Sequence, residues 1–216
     1  MPVAFSWPMT SPIPLLEARA LCCVRGEASL FENLGFSLTA GEALQIEGAN
    51  GSGKTSLLRI LAGLALPDEG EVLWRGANIN ERRSEFHGQL AYLGHQLGLK
   101  SGLTIEENLR LALGVRSVRP RSRLATVLEA VCLDHRADIP VRALSAGQRQ
   151  RVALARMLLS EAVLWILDEP FTSLDMAGVE LVQILAVDHL LSGGVMVLTS
   201  HQSVSLKGRL RKLELA

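Results

Sequence analysis

The chain has 216 residues, of which 48% are hydrophobic and 20% are charged, so we predict one folded domain rather than a mainly disordered protein. Lysine and arginine number 22, as do aspartate and glutamate, and this zero net charge provides no global basic field to attract nucleic acid. The longest unbroken apolar run, residues 162–167, is far shorter than the roughly 20 residues of a membrane-spanning helix. We therefore expect a chain that binds no nucleic acid and does not itself span a membrane.

Short apolar or alternating runs, separated by turn signals, predict strands in the N-terminal part of the chain. They cover residues 15–24, 29–38 and 42–47, which we predict to form an antiparallel β layer. Residues 1–14 contain prolines but no lysine, arginine or long apolar run, so they are no secretory signal. We predict them to be a flexible extension, followed by a single domain over residues 15–216.

The remainder of the chain alternates helical and strand patterns. Helices are predicted at residues 56–66, 106–113, 123–133, 145–159 and 178–190, and strands at residues 71–74, 163–167, 195–199 and 210–215. This alternation is typical of a parallel sheet wrapped by helices, so the predicted fold class is α/β.

A glycine-rich motif of the form G-x-x-x-x-G-K-[ST] lies between a predicted strand and a predicted helix. Its residues are Gly48, Ala49, Asn50, Gly51, Ser52, Gly53, Lys54 and Thr55. The glycines let successive backbone N–H groups converge on phosphate oxygens, and the helix N-terminus adds the positive end of its dipole. Lys54 is placed to reach the β- and γ-phosphates and Thr55 to offer its hydroxyl to Mg²⁺. The motif therefore predicts a nucleotide phosphate site.

Two acids, Asp168 and Glu169, end the apolar run at residues 163–167. A carboxylate at the C-terminal end of a parallel strand projects into the crevice where ligands bind. Asp168 can therefore hold Mg²⁺, and Glu169 can polarise a water for attack on the γ-phosphoryl group. An exposed acidic turn is the alternative.

Residues 144–148, Leu-Ser-Ala-Gly-Gln, precede the predicted helix with Ser and Gln spaced as in a capping box. Lying between the phosphate motif and the acid pair, they resemble the signature of ABC ATPases, with alanine in place of the first glycine. The signature residues are Ser145, Ala146, Gly147 and Gln148. Three further residues resemble conserved positions of that family: Gln96 the Q-loop glutamine, Asp175 the D-loop aspartate and His201 the switch histidine.

This resemblance covers residues 15 to about 205 and implies a P-loop NTPase core with an N-terminal antiparallel β layer. It also implies a small helical subdomain at about residues 97–160 and a dimer in which each signature closes over ATP bound to a second copy. The residues implied to act on the γ-phosphate and the attacking water are Glu169, His201 and Gln96, and those implied to hold Mg²⁺ are Thr55, Gln96 and Asp168. Ala146 fits this role if its φ is negative, since a positive φ favours glycine.

One departure concerns the adenine. ABC ATPases usually stack the base on an aromatic residue ahead of the phosphate motif, whereas this chain has Cys-Val-Arg-Gly at residues 23–26. Arg25 could stack its guanidinium plane on the base, or Val24 could pack against it.

Five stretches resemble the cytochrome c maturation haem-exporter ATPases: residues 92–100, 103–104, 107–109, 164–172 and 198–202. This resemblance implies a peripheral ATPase on the cytoplasmic face of the bacterial inner membrane, working with integral membrane subunits in c-type cytochrome biogenesis. An ATPase of another small bacterial ABC transporter with a different cargo shares every core motif and is the alternative.

We expect the contact with membrane subunits to lie beside Gln96. Leu97, Leu99 and Leu103 follow among glycines that argue against a packed helix, so we expect some of these leucines to be exposed. Exposed leucines would accept a short cytoplasmic helix of a membrane subunit. Alternatively, they close the core of their own subdomain.

Overall fold

The computed structural model describes residues 13–26, 28–113, 121–202 and 204–215. Most of the predicted N-terminal extension, residues 1–12, therefore lies outside the described residues. The strands are β1 (Leu16–Arg25), β2 (Ala28–Leu38), β3 (Ala43–Gly48), β4 (Glu69–Trp74), β5 (Ala77–Asn78), β6 (Leu90–Leu93), β7 (Leu164–Asp168), β8 (Val195–Thr199) and β9 (Leu210–Leu215). The helices are α1 (Lys54–Leu61), α2 (Arg83–His87), α3 (Ile105–Leu113), α4 (Arg121–Ala130), α5 (Ala146–Ser160) and α6 (Met176–Leu191).

The strands form two sheets. An antiparallel sheet has the order β2-β1-β4-β5, and a parallel sheet has the order β6-β7-β8-β3-β9. Every residue of β7 and β8 is buried, as expected for central parallel strands covered on both faces. The α/β prediction with an antiparallel layer is therefore confirmed.

One predicted strand lies in a different sheet. Residues 42–47 were expected in the antiparallel layer, but β3 lies in the parallel sheet between β8 and β9, and that prediction is wrong. The first four residues of β3 are all buried, which is typical of a strand covered on both faces. In the antiparallel sheet β1 pairs with β2 and β4, and β6 at one edge of the parallel sheet was not predicted.

Alternating side chains of the parallel strands enter two separate apolar clusters. Leu164 and Ile166 pack with α1 and the antiparallel sheet, whereas Trp165 and Leu167 pack with α3, α4, α5 and α6. The parallel sheet is thus the middle layer of the molecule. No helix within the described residues is long and apolar enough to cross a membrane.

This arrangement brings the candidate residues to one edge of the parallel sheet. The glycine-rich loop follows β3, Asp168 ends β7, and His201 lies two residues after β8. Because these three strands are parallel neighbours in the sheet, their C-terminal ends open into one crevice.

Candidate nucleotide-binding site

The glycine-rich loop turns sharply from β3 into α1. Gly53 precedes the helix with a φ of 97°, and a Cβ added there would lie 3.0 Å from the Cβ of Leu30. Glycine is required here both by the left-handed backbone and by this close approach. The Nζ of Lys54 donates hydrogen bonds to the carbonyls of Gly48 (2.6 Å) and Ala49 (2.9 Å). The ammonium group is therefore held against its own loop at the N-terminus of α1.

A cavity of about 320 Å³ lies over this loop and gathers most of the predicted site residues. Its lining residues are Leu30, Asn50, Gly51, Gly53, Lys54, Thr55, Ser56, His95, Asp168, Glu169 and His201. Gln96 is exposed and does not line the cavity, whereas its neighbour His95 does. Sequence reasoning missed His95, because its position depends on β6, which was also missed.

Asp168 is 7% exposed, and each of its carboxylate oxygens accepts one hydrogen bond from a threonine hydroxyl. Oδ2 accepts from Thr55 (3.1 Å), and Oδ1 accepts from Thr199 (2.9 Å). A hydroxyl and a carboxylate in contact at a phosphate site are hard oxygen ligands of the kind that Mg²⁺ prefers. The residues present therefore fit a magnesium ion held by Thr55 and Asp168.

Glu169 follows directly and has an unusual backbone, with a φ of 52°. Its Oε1 is shielded from solvent and accepts no hydrogen bond from any described residue. The Nε2 of His201 lies 3.6 Å from this oxygen, beyond hydrogen-bond distance. Glu169 lines the cavity, and its carboxylate thus keeps lone pairs that no described donor uses, which a general base needs.

Two buried glutamines anchor the backbone beside these side chains. The Nε2 of Gln150, on α5, donates to the carbonyl of Pro170 (2.9 Å), and that of Gln45, on β3, donates to the carbonyl of Ser200 (3.3 Å). The two acceptor residues are sequence neighbours of candidate catalytic residues, since Pro170 follows Glu169 and Ser200 precedes His201. Sequence reasoning missed both, because their partners are distant in sequence.

Tyr92, near the end of β6, is half-buried and lies close enough to Asp168 to be influenced by its charge. Burial raises the pKa of its phenol, and the negative charge of Asp168 raises this pKa further. Tyr92 is therefore neutral beside Asp168 at physiological pH.

The signature residues lie in a second cavity of about 530 Å³, which we call the signature cavity. It is lined by Cys132, Arg136, Ser145, Ala146, Gly147, Gln148, Arg151, Ser173, Leu174 and Asp175. Ser145 and Gln148 form the predicted capping box at the start of α5. None of these lining residues also lines the nucleotide cavity. The chain thus presents the glycine-rich loop and the signature at separate places.

The substitution of alanine in the signature is compatible with this backbone. Ala146 is the first residue of α5 and is not among the residues with positive φ. Its φ is therefore negative, which is the condition under which alanine fits the signature. A Cβ added to the next residue, Gly147, would lie 2.9 Å from the carbonyl oxygen of Ser173. Space is therefore limiting at Gly147 and not at Ala146.

The leucines after Gln96 are not exposed. Leu97 and Leu99 are partly buried against the core cluster of α3–α6, and Leu103 is half-buried. The buried side chain of Asn108 accepts a hydrogen bond from the Lys100 N–H (2.7 Å) and donates to the Lys100 carbonyl (3.0 Å), which holds this loop against α3. The expectation of exposed leucines is wrong, and the alternative in which they close their own core is favoured.

A strand, a glycine-rich loop and a helix facing an acid at a neighbouring strand end define this chain as a P-loop nucleotide-binding protein. The model of the ABC transporter family matches residues 31–172. The chain belongs to the ABC transporter family of ATP-binding proteins and, within it, to the cytochrome c biogenesis ATP-binding export proteins. It is an ABC-type ATPase.

Two relatives and two solved structures illustrate this membership. The cytochrome c biogenesis ATP-binding export protein CcmA of Methylococcus capsulatus is 48% identical, covering 93% of this chain and 98% of the relative. The protein of that name from Yersinia pestis is 49% identical, with coverage of 94% and 93%. An ATP-binding subunit of an ABC transporter has a TM-score of 0.79 at 28% identity, covering 87% of this chain and 79% of its own. A dimeric ATP-binding cassette in a post-hydrolysis state with ADP and Pi has a TM-score of 0.74 at 26% identity, covering 87% and 88%.

Proposed function

We propose that this chain is the ATP-hydrolysing subunit of an export complex for c-type cytochrome biogenesis, in which hydrolysis powers the handling of haem and its release with a haem chaperone. The observation that carries hydrolysis is the carboxylate of Glu169, whose Oε1 accepts from no described donor and which lines the same cavity as His201, Lys54 and Asp168. The assignment to cytochrome c biogenesis is supported by the relatives, which are named as cytochrome c biogenesis ATP-binding export proteins and match this chain over nearly their whole length.

In the proposed binding step, the glycine-rich loop and Lys54 hold the phosphates of ATP. The two hydrogen bonds from Lys54 to loop carbonyls are exchanged for bonds to β- and γ-phosphate oxygens. Thr55 and Asp168 hold Mg²⁺, which neutralises phosphate charge when bound. Gln96 is proposed as a further ligand, because its neighbour His95 lines the cavity, although the exposed Gln96 itself does not line it in this structure.

In the proposed hydrolytic step, a water attacks the γ-phosphorus as its proton passes to the carboxylate of Glu169. The bond from the γ-phosphorus to the bridging oxygen breaks, and ADP and inorganic phosphate are the products. His201, which also lines this cavity, stabilises the charge on the γ-phosphoryl oxygens.

The proposed partners are a second copy of this chain and integral membrane subunits. Since the signature cavity is separate from the nucleotide cavity, Ser145 of one copy serves the γ-phosphate held by the other. A capped helix N-terminus suits this role, because its N–H groups and dipole favour anions. The solved dimeric cassette with ADP and Pi supports such pairing. We place the complex at the cytoplasmic face of the bacterial inner membrane.

A complementation experiment tests this proposal. In a bacterium lacking its own ATPase for cytochrome c biogenesis, the chain and its membrane subunits should restore covalently haem-bearing cytochrome c on haem-stained gels. Glu169→Gln, produced at the same level, should not restore it. If the parent chain hydrolyses ATP in the purified complex but restores no cytochrome c, the proposed cargo is wrong and the ATPase assignment stands.

A further inference from the structure

Thr199 lies between the two acids of the site without lining the nucleotide cavity. It is the last residue of β8, pairs in register with Asp168 and is 0% exposed. Its hydroxyl donates to the Oδ1 of Asp168 (2.9 Å) and accepts from the backbone N–H of Glu169 (3.0 Å). One buried hydroxyl therefore connects the candidate magnesium ligand to the candidate base.

The direction of these two bonds is determined by their chemistry. A backbone N–H can only donate, so the Thr199 oxygen accepts from Glu169 and its single proton is free to point to Asp168. Full burial excludes water as a competing partner. Both bonds are thus made in one orientation of the side chain.

The bonds from Thr199 hold the backbone of Glu169 and the carboxylate of Asp168 in place. Glu169 has a φ of 52°, in the left-handed region that side-chain-bearing residues seldom adopt, and its N–H is held there by Thr199. The second hydroxyl on Asp168 comes from Thr55, which is exposed and is itself proposed to hold Mg²⁺. With the Thr55 hydroxyl committed to the ion, Thr199 would still hold the carboxylate of Asp168.

We infer that Thr199 is a positioning residue for ATP hydrolysis, whose hydroxyl sets the rotamer of Asp168 and the backbone conformation of Glu169. This inference rests on the proposed roles of those two acids. The residue acts through them and does not touch the nucleotide. Sequence reasoning placed Thr199 at a strand end and assigned it no role.

The test compares Thr199→Val, which removes the hydroxyl at nearly constant volume, with Thr199→Ser, which keeps it. We expect kcat to fall about 10–100-fold in Thr199→Val, as is typical when a partner of a metal ligand is lost, while KM for ATP stays within about threefold. Thr199→Ser should recover most of kcat. The matched control is Thr39→Val, because the Thr39 hydroxyl also bonds a carboxylate, Glu42 (3.0 Å), at the opposite end of β3.

A second measurement does not depend on turnover. Mg²⁺ should increase ADP affinity less in Thr199→Val than in the parent, whereas ADP affinity in EDTA should be unchanged because the glycine-rich loop is intact. Titration calorimetry with ADP, with and without Mg²⁺, gives both values. If Thr199→Val shows no cooperative melting transition, Thr199→Ser and Thr199→Ala make the same comparison, since they differ by one hydroxyl.

Three results would overturn the inference. They are parental kcat in Thr199→Val, equal loss of kcat in the serine and valine variants, and loss of ADP affinity in EDTA along with kcat. The second would assign the residue to packing, and the third to general disruption of the loop. Parental turnover in Glu169→Gln would instead overturn the proposed base, so failure of the inference and failure of the proposed function are distinguishable.

Discussion

The nucleotide cavity and the signature cavity differ in the secondary structure that positions their side chains: the first has the end of a buried strand, the second the N-terminus of a helix. In the nucleotide cavity, Asp168 and Glu169 stand at the end of a fully buried strand, and Thr199 bonds both of them. The signature cavity is built from the N-terminus of α5 and a turn, where the side chain of Asp175 is 75% exposed and caps α6. The proposed metal ligand and base are thus fixed within one chain, while the groups proposed to bind the γ-phosphate of a second copy lie in a separate surface cavity.

The largest expected effect lies in the nucleotide cavity. Glu169→Gln should lower kcat about 10²–10⁴-fold, the usual contribution of a positioned general base, which raises the barrier by roughly 3–5 kcal/mol. ATP affinity should be retained, because the amide has nearly the shape of the carboxylate. Phosphate release by the purified complex and ATP titration measure the two quantities. Exposed Glu180→Gln on α6 is the control, and unchanged turnover in Glu169→Gln would reject the base.

A comparable loss should arise in the signature cavity, without any change in the nucleotide cavity of the same chain. Ser145→Ala removes the N-cap of α5 and should lower stability by about 1 kcal/mol, whereas Ser145→Asp keeps a cap of similar strength. Both should reduce turnover, and Asp more strongly because its charge faces the γ-phosphate of the second copy. Thermal melting and phosphate release separate folding from function. Parental turnover in Ser145→Asp would show that the cavity meets no phosphate.

Mixing two inactive variants tests whether the cavities meet across two copies. Lys54→Ala should weaken both ATP binding and chemistry, since a cation is lost from ground and transition states. In mixed dimers with Ser145→Asp, one composite site keeps both its lysine and its serine. Random exchange at equal amounts should therefore restore about a quarter of the parental rate if the two sites act independently. Absence of any recovery, with dimer exchange shown by tagged copies, would contradict the paired arrangement.

The smallest effect is expected at Ala146. Ala146→Gly should leave turnover within about twofold and lower stability by at most about 1 kcal/mol, because the alanine is already in helical conformation. Gly147→Ala should be much more harmful, since its Cβ would lie 2.9 Å from the carbonyl of Ser173. Paired melting curves and rates compare these neighbours. A large gain of activity in Ala146→Gly would show that alanine does strain the signature.

The strands were predictable where a short apolar or alternating run in the sequence indicates them. The strand over residues 195–199 and the last strand over 210–215 have their predicted bounds, because short apolar or alternating runs indicate them directly. The sheet that contains β3 was not predictable in this way. A short apolar strand fits either layer until its neighbours are known, and β8 and β9 are more than 140 residues away in sequence.

The site divides in the same manner. Sequence alone predicted the glycine-rich loop, the acid pair and the capping box, because each depends on residues within a few positions of one another. The tertiary structure decided the burial of Leu97 and Leu99 and the bridge from Thr199 to the two acids. Burial and hydrogen-bond direction at those residues depend on partners that only the folded sheet and helices bring together, and no local pattern contains them.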